Sequence, residues 1–329
     1  MPSAKDVSSS QDMTTHIATR PSFHSLEIQA VPVANAPLSP PAPQRDQDWA
    51  LPTSPFALAE LLTRNDRFDQ RRPDLRASRE HNHTMVDVLH RLQPVDGLSL
   101  LDLGCSYRGW ALERALQRGA AYYLGIGLEV TALTVEAERG CGELRAGNAE
   151  ALDLPDSSFD LGYSVSTFEH FGDCARVLQE MHRVLRPGGH ALVSFEAVWS
   201  AAIGHHLHHL PGGEVVPPWS HLLLTPERMR SLLAELWPTD SPVSVDEAVR
   251  MMYHDPFINR RTLAEQRRLF AEGPLKIEWS VELPDEVPGH REVAEAVALL
   301  VPHTVEELLV RGFTLWLSKG RIDATLPSE

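Results

Sequence analysis

The stretch "LLDLGCSYRGW" (residues 100–110) decides the fold. An apolar run that holds one carboxylate, Asp102, leads directly into a turn with glycines at 104 and 109. The next residues, "WALERALQRG" (110–119), have helical spacing and end at a glycine. A short apolar run followed by a glycine turn and a helix is typical of a buried parallel strand with its crossover helix. The sequence therefore predicts a strand, a turn and a helix here.

The same alternation continues along the chain. Further predicted strands and helices follow in turn, as strand 122–128, helix 131–140, strand 142–147, strand 159–165, helix 173–185 and strand 190–197. Five short apolar runs separated mostly by helices predict an α/β fold, a mostly parallel Rossmann-like sheet with helices on both faces. Near the end, "LKIEWSVEL" (275–283) alternates apolar and polar residues as a sheet-edge strand does, and "GFTLWLS" (312–318) predicts a last strand.

The composition divides the chain into four predicted parts. Residues 1–48 are rich in Ser, Pro, Gln and Thr and are predicted to be a disordered tail. Residues 49–198 form the predicted cofactor-binding core with its N-terminal helices, the first capped at Ser54. Residues 199–273 are too long for a simple connection and predict a substrate lid inserted after the fifth strand. Residues 274–329 would complete the core.

Net charge, hydrophobicity and cysteine content limit the classes of partner and the cellular compartment that we expect. The net charge of −15 argues against a nucleic-acid partner, which would need clustered Lys and Arg. Hydrophobic residues make up 43% of the chain without a membrane-length apolar run, so we expect a soluble protein and no membrane. Three cysteines without metal or disulfide spacing, and an N-terminus unlike a signal peptide, favour the cytoplasm. The oligomeric state stays open.

In an open parallel sheet, ligands bind beyond the carboxyl ends of the strands, where the 104–109 turn is expected. Two ligand classes use such a turn. A dinucleotide requires G-x-G-x-x-G, and the spacing here does not fit, which disfavours an NAD-dependent dehydrogenase. The other class is S-adenosylmethionine, whose loop typically keeps an acidic residue two before the first glycine. Asp102 stands at that position.

Four segments together are more specific than the loop. "LLDLGCSYRGW", "YYLGIGLEV", "ALDLPDSSFDLGYSVSTFEH" and "HRVLRPGGHALVSF" follow one another within about residues 98–197. In order and spacing they resemble class I S-adenosylmethionine-dependent methyltransferases, in particular the small-molecule group often called methyltransferase type 11. The resemblance implies S-adenosyl-L-methionine as the cofactor, a seven-stranded sheet with a reversed last strand, and methyl transfer to a small-molecule acceptor. We expect transfer to O or N, in specialised metabolism.

The resemblance also implies roles for single residues. The cofactor would be held by Asp102, Gly104, Ser106, Gly109, Glu129, Asn148, Ala149, Ser164 and Val165. Two positions depart from the pattern. Gly127 stands where an acid usually holds the ribose hydroxyls, so Glu129 would substitute if the second strand runs slightly longer. Asn148 stands where an Asp usually accepts from the adenine amino group, and its amide oxygen can still accept.

The predicted lid begins with an unusual density of histidines. His titrates near neutrality and suits proton transfer, so His170, His205 and His206 are the candidate catalytic residues. The candidate substrate contacts are His208, His209, Trp219 and His221. Two other interpretations stay open, a bound metal and histidines that are merely solvated or packed in the lid. Because "HHLHH" (205–209) has no spaced carboxylate partner, we predict no metal.

A second function class also stays open. The departures at Gly127 and Asn148 would suit a catalytically inactive chain that keeps the methyltransferase fold as a binding or partner-activating module.

Overall fold

A computed structural model describes residues 75–320, so the predicted tail (1–48) and the helix predicted after Ser54 lie outside the described residues. Within them the fold is α/β, as predicted. The strands are β1 Ser99–Leu103, β2 Tyr122–Gly127, β3 Leu133–Ala137, β4 Gly140–Ala146, β5 Phe159–Val165, β6 Leu185–Glu196, β7 Lys276–Pro284 and β8 Val310–Ser318. They form one sheet in the order β3-β4-β2-β1-β5-β6-β8-β7.

The central strands β4, β2, β1, β5 and β6 pair in parallel, and β8 runs antiparallel to β6. The last strand is therefore reversed, as the resemblance implied. β7 pairs only with β8 and forms one edge of the sheet, as the alternation in 275–283 predicted. No helix in this part of the chain is both long and apolar enough to cross a membrane.

Helices cover both faces of the sheet. The α-helices are α1 Leu75–Leu92, α2 Trp110–Gln117, α3 Cys174–Val184, α4 Ser220–Leu223, α5 Pro226–Leu236, α6 Val245–Tyr253, α7 Leu263–Ala271, α8 His290–Ala298 and α9 Val305–Leu308. Successive side chains of a strand point to opposite faces, and Leu100 and Leu101 of β1 accordingly enter two different apolar clusters. One cluster packs α1 and α2 against the sheet, and the other packs α3 and α7 against the opposite face.

The prediction was wrong at 131–140, where the structure has β3 in place of a helix. β3 turns through Glu138 and Arg139 into β4 and pairs with it antiparallel, which adds an eighth strand to the predicted seven. The reason lies in the sequence, since Leu133, Val135 and Ala137 alternate with polar residues, which is the period of a strand, whereas in a helix Val135 would lie opposite the other two. The strand is an edge strand and is mostly exposed.

The insertion between β6 and β7 contains α4 to α7 and has an apolar cluster of its own. Leu207, Met229, Leu233, Trp237 and Met252 are among the buried members of that cluster. A group of residues that packs together in this way can act as a unit, so the structure is compatible with the predicted lid. The boundaries at 199 and 273 stay predictions.

Candidate functional site

A cavity of about 320 Å³ lies beyond the carboxyl ends of β1, β2, β4 and β5. This is the edge of the sheet at which the strand order changes direction, where ligands of open α/β sheets bind. Its lining comes from the loops that follow those four strands, namely Gly104, Cys105, Ser106, Tyr107, Ile126, Gly127, Leu128, Glu129, Val130, Gly147, Asn148, Ala149, Glu150, Thr167, His170, Phe171 and Gly172.

The turn after β1 depends on Gly104. Its φ is +85°, and a Cβ there would lie 2.6 Å from Cβ and Oγ1 of Thr167. Thr167 Oγ1 donates to the carbonyl of Gly104 (3.1 Å), and the Gly104 amide donates to the carbonyl of Ile126 (2.8 Å). The turn is thus fixed between the ends of β2 and β5, and only glycine has room there. Ser106 follows on the cavity wall.

Asp102 lies beneath the turn rather than in the lining. It is 3% exposed and accepts a hydrogen bond from the hydroxyl of Tyr123. Burial raises the pKa of Asp102 to about 7, and the bond from Tyr123 opposes that rise. Because this carboxyl lies beneath the turn and outside the cavity lining, its position suits support of the turn and not direct contact with a ligand.

Three further predicted cofactor residues also support the loops from behind. Ser164 is buried and its hydroxyl donates to the carbonyl of Leu103 (2.9 Å), which ties β5 to β1. Gly109 is the N-cap residue of α2, with φ +66°. Val165 is the last residue of β5 and packs against the apolar cluster under α1 and α2.

The second and third loops present polar groups to the cavity. β2 ends at Gly127, so the strand does not extend to Glu129, which instead reaches the cavity from an exposed turn. A Cβ at Gly127 would lie 2.6 Å from the Val130 side chain and 3.1 Å from the carbonyl of Cys105. A side chain at this position, where the resemblance implied an acid, would therefore require its neighbours to shift, while Glu129 keeps an acid at the same cavity.

Asn148 and Ala149, which were predicted to bind the cofactor, line the cavity, and Asn148 also supports its own loop. The Asn148 Oδ1 accepts from the amide of Glu150 (2.9 Å), and Glu150 Oε1 accepts from the amide of Asp173 (2.9 Å). This chain of hydrogen bonds joins the loop after β4 to the start of α3. One lone pair of the Asn148 oxygen is thereby used within the loop, and the other lone pair and the amide N–H groups are its remaining polar capacity.

His170 is the histidine that lines the cavity. Its Nδ1 lies 2.8 Å from the carbonyl of Phe257 and therefore donates to it, which leaves the lone pair on Nε2. The ring stacks on Phe257 with centroids 4.2 Å apart. Burial lowers the pKa of His170, so the ring is neutral near pH 7 and can accept a proton at Nε2.

Glu169, the neighbour of His170, is an unexpected buried carboxyl. It is 6% exposed, burial raises its pKa to about 8, and its Oε2 makes no hydrogen bond to any residue of 75–320. The preceding Phe168 is completely buried among aromatic rings, including Phe195 and Phe270. This anchor fixes the short 3-10 turn that carries Glu169 and His170.

The other predicted histidines lie in the insertion, next to His170 rather than in the cavity lining. His206 is the nearest, with its ring centroid 5.3 Å from that of His170. His208 lies 6.2 Å from His206, and its ring also lies near those of His205 (6.3 Å) and His209 (3.8 Å). His205 in turn lies 5.4 Å from His221. His205, His206 and His221 are buried, whereas His209 is exposed. The structure thus gathers the predicted catalytic and substrate histidines into one cluster behind His170.

Trp219 was predicted to contact the substrate, but the structure buries it away from the cavity. It is completely buried, and its Nε1 donates to the carbonyl of Ser200 (3.1 Å). Its ring packs against His290 and belongs to an apolar cluster with residues of α8 and α9. A large apolar side chain with a satisfied N–H in such a place is explained by packing, and the structure does not bring it to the cavity.

Sequence reasoning missed several lining residues. Thr167 holds the glycine turn, and Cys105 and Tyr107 form part of the wall. Glu150 links two loops, and Phe171 is another lining residue. Apart from its place in the segment "STFEHF", nothing in the sequence marks Thr167, because its role depends on a carbonyl 63 residues away in the chain.

Comparison with known proteins adds an independent finding. Residues 101–193 match the family described as "Methyltransferase domain". An O-methyltransferase of Pyrenophora dematioidea is 28% identical over 162 residues, 46% of this chain and 57% of that protein. A demethylmenaquinone methyltransferase of Geobacillus kaustophilus is 35% identical over 119 residues, 34% of this chain and 50% of that protein. The chain thus spans only about half the length of these relatives.

Among solved structures, an S-adenosylmethionine dependent methyltransferase from Mesorhizobium loti aligns with a TM-score of 0.43 and 20% identity, over 73% of this chain and 97% of that chain. The family match covers β1 through most of β6, the strands whose loops build the cavity. Residues 101–193 therefore match a methyltransferase domain, and the relatives that this part of the chain resembles are methyltransferases.

Proposed function

We propose that this protein transfers the methyl group of S-adenosylmethionine to an O or N atom of a small molecule, at the cavity beyond the carboxyl ends of β1, β2, β4 and β5. The observation that carries the proposal is that this cavity lies within the matched domain and is formed by its loops. Specialised metabolism and a cytoplasmic location belong to the same proposal.

The residues present fit such a cofactor. The cavity volume of about 320 Å³ is in the range of small-molecule sites. Gly104 and Ser106 allow the backbone to approach a ligand closely, and Glu129 and Asn148 supply a carboxylate and an amide for hydroxyl and amino groups. We assign to these four residues and Ala149 the direct contacts, and to Asp102, Gly109, Ser164 and Val165 the support of the loops.

When bound, S-adenosylmethionine supplies an electrophilic methyl carbon, whose bond to sulfur breaks, with its electron pair going to sulfur, as a lone pair of the acceptor forms the new bond. The protein has to align the acceptor and exclude water. His170 lies at the edge of the cavity with a neutral ring and a lone pair on Nε2, so it can orient the acceptor and take its proton. Phe257 and the carbonyl that accepts from Nδ1 hold the ring in place.

A small-molecule acceptor is supported by the insertion and the charge. Asn259 of the insertion donates from Nδ2 to the carbonyl of Phe168 (2.7 Å), and its backbone amide donates to the carbonyl of Glu169 (3.0 Å). The insertion is thereby attached to the turn that carries His170, at the side of the cavity where an acceptor would enter. A net charge of −15 does not favour a nucleic-acid acceptor.

The test has two stages. Calorimetric titration with S-adenosylhomocysteine measures cofactor binding without turnover. Incubation with S-adenosylmethionine that carries a deuterated methyl group and a small-molecule extract, followed by mass spectrometry, then detects the labelled product. We expect His170→Asn to retain binding and to lose most transfer, whereas His254→Asn, the same change at an exposed histidine, should alter neither.

The outcomes separate the two function classes. Binding together with one labelled small molecule supports the proposal, and fragmentation of the product assigns O or N. Binding without any labelled product in extracts that contain the acceptor pool would favour the inactive module, and absence of binding would overturn the proposed site.

A further inference from the structure

We propose that Glu169, His170 and His206 form a binding site for a divalent first-row transition-metal ion beside the cavity. One potential ligand atom from each of the three side chains lies within 4.8 Å of the other two. The carboxylate comes from the turn after β5 and His206 from the insertion, so the site joins the α/β core to the segment that follows β6. This departs from the expectation of no metal drawn from the sequence.

The first argument is that two of the three side chains carry a buried potential ligand atom that has no hydrogen-bond partner among the described residues. Glu169 Oε2 and His206 Nε2 are both inaccessible to solvent and make no hydrogen bond to any other residue the structure describes. The two side chains are 6% and 5% exposed. An unsatisfied buried polar atom is costly, and two in one cluster require an explanation. A cation held between them would satisfy both.

The second argument is the arrangement of the imidazole nitrogens. His206 Nδ1 lies 2.8 Å from the carbonyl of Gly204, and His170 Nδ1 lies 2.8 Å from that of Phe257. In both rings Nδ1 must donate to the carbonyl, so Nε2 carries the lone pair that binds metals. A backbone carbonyl that fixes the other ring nitrogen is the usual partner of a metal-binding histidine.

The third argument is that the backbone holds the donors in fixed places. His206 has φ +58°, an uncommon conformation for a residue other than glycine, and its amide donates to the carbonyl of Ile203 (2.9 Å). Glu169 follows the buried anchor Phe168, and its carbonyl accepts from Asn259 (3.0 Å). His170 Nε2 already lies 3.8 Å from Glu169 Oε1. Ligands of one zinc ion lie roughly 3–4 Å apart, so small side-chain rotations would close the site.

The donor set indicates the class of ion. Two imidazole nitrogens and one carboxylate favour zinc, iron, cobalt or manganese over magnesium or calcium, which prefer oxygen ligands. Three protein ligands leave a coordination position for a water molecule or a substrate, as in catalytic zinc sites. Because His170 lines the cavity, an ion bound to it would be adjacent to the space that we assign to the acceptor.

The role of the ion rests on the proposed function, whereas its binding does not. A metal lowers the pKa of a coordinated oxygen, so an acceptor hydroxyl on the ion would lose its proton to solvent water before the methyl group is transferred. His170 would then act as a ligand and no longer as the base. The inferred substrate class is accordingly an acceptor with a hydroxyl or another oxygen donor.

The experiment measures the metal directly on untagged, full-length protein stripped with a chelator. Zn²⁺ is titrated by calorimetry with elemental analysis of the dialysed complex, Co²⁺ is followed by its absorption spectrum, and Mg²⁺ serves as the comparison ion. We expect one Zn²⁺ or Co²⁺ per chain and much weaker binding of Mg²⁺. Glu169→Gln and His206→Asn should each weaken Zn²⁺ binding by more than the roughly 10–100-fold that loss of an outer-shell partner costs.

The variants are chosen to keep the fold. Glutamine has the shape of the protonated Glu169 side chain, which its raised pKa favours in the metal-free protein. Asparagine tolerates the left-handed backbone of residue 206. His209→Asn is the matched control, because His209 is exposed, lies three residues along and is not one of the three donors. Thermal unfolding of each metal-free variant confirms that it is folded.

One ion per chain that is lost in both site variants and retained in His209→Asn supports the inference. No stoichiometric binding, equal binding by the site variants, or loss only in the control overturns it. Titration with S-adenosylhomocysteine separates this result from the proposed function. Metal binding without cofactor binding would leave the metal site and remove the methyltransferase proposal, and the reverse result would remove only the metal site.

Discussion

The two sides of the cavity are built in different ways. On one side, the turn at Gly104 and the loops around Glu129 and Asn148 follow strands of the sheet and are shaped by backbone geometry. On the other side, His170 and the histidines behind it are side chains brought together from segments far apart in the chain. The first side depends on where a strand ends, whereas the second depends on how an insertion packs against the core.

The difference has a consequence for substitutions. A change on the glycine side should act through steric exclusion and affect the cofactor, because the loop has little room. A change on the histidine side should act through charge and protonation, because buried titratable groups dominate there. Experiments that measure cofactor affinity and the pH dependence of stability separately can therefore test whether the two sides are independent.

The largest effect on cofactor affinity is expected from Gly104→Ala. The added Cβ would lie 2.6 Å from Thr167 Cβ, and the backbone has φ +85°, so the turn must move. Displacement of a positioning loop by about 1 Å can cost around 100-fold, and we expect at least that loss of S-adenosylhomocysteine affinity in calorimetry.

Gly289→Ala is the matched control. Gly289 has φ +86°, and a Cβ there would meet nothing within 4 Å. Both variants bear the same backbone strain of roughly 1–2 kcal/mol, so the difference between them isolates the contact with Thr167. Equal affinities for the two variants would show that the turn is not part of the cofactor site.

The glycine side could be predicted from the sequence because its signals are local. The strand, the turn and the helix of 100–119 follow one another, and a glycine is needed where the turn bends. The failure at 131–140 is of the same local kind, since the alternation of Leu133, Val135 and Ala137 is that of a strand, and this strand pairs with β4.

On the histidine side, the sequence predicted only that a histidine-rich segment exists, and not which residues it contacts. "HHLHH" marks the segment, but nothing local states that His206 lies beside His170 or that Trp219 is turned away into another cluster. Glu169 was not among the candidate site residues, because what distinguishes it is its burial, and burial cannot be read from the local sequence. The carboxylate that the sequence pattern lacked near 205–209 is supplied 36 residues earlier in the chain.

The second prediction concerns pH and Asp102, beneath the glycine turn. Its pKa is raised to about 7 from 3.8 by burial, so the folded protein holds a proton that the unfolded chain releases. The free energy of unfolding should therefore fall as pH rises from about 4 to 7, by on the order of 4 kcal/mol at ~1.4 kcal/mol per unit. Denaturant unfolding across this range should show that Asp102→Asn removes this part of the dependence. An unchanged slope in the variant would contradict the raised pKa.

The third prediction is that His221, on the histidine side, makes the free energy of unfolding depend on pH in the opposite direction. Burial lowers the pKa of His221 to about 4 from 6.5, and its Nε2 donates to the carbonyl of Trp199 (2.7 Å). The unfolded chain binds the proton first, so this group's stabilisation is lost as pH falls from 6.5 to 4, by on the order of 3 kcal/mol. His221→Gln should flatten that acid limb in denaturant unfolding. His254 is exposed, so His254→Asn is the control. If this variant also lost the fall in unfolding free energy at acid pH, the fall would be due to overall charge and not to His221.

The smallest effect is expected from Glu129→Gln, at the acid that reaches the cavity from beyond β2. If this carboxylate accepts hydrogen bonds from the cofactor, loss of its charge should cost about 1.5–2 kcal/mol, or roughly tenfold in S-adenosylhomocysteine affinity, with unfolding unchanged because the side chain is exposed. Glu136→Gln on the exposed face of β3 removes the same charge from the same hairpin region and should leave the affinity unaltered. A tenfold loss in both variants would point to a general electrostatic effect of the hairpin. A loss in neither would move the ribose-binding role away from Glu129, and the glycine side would then hold its ligand through backbone groups alone.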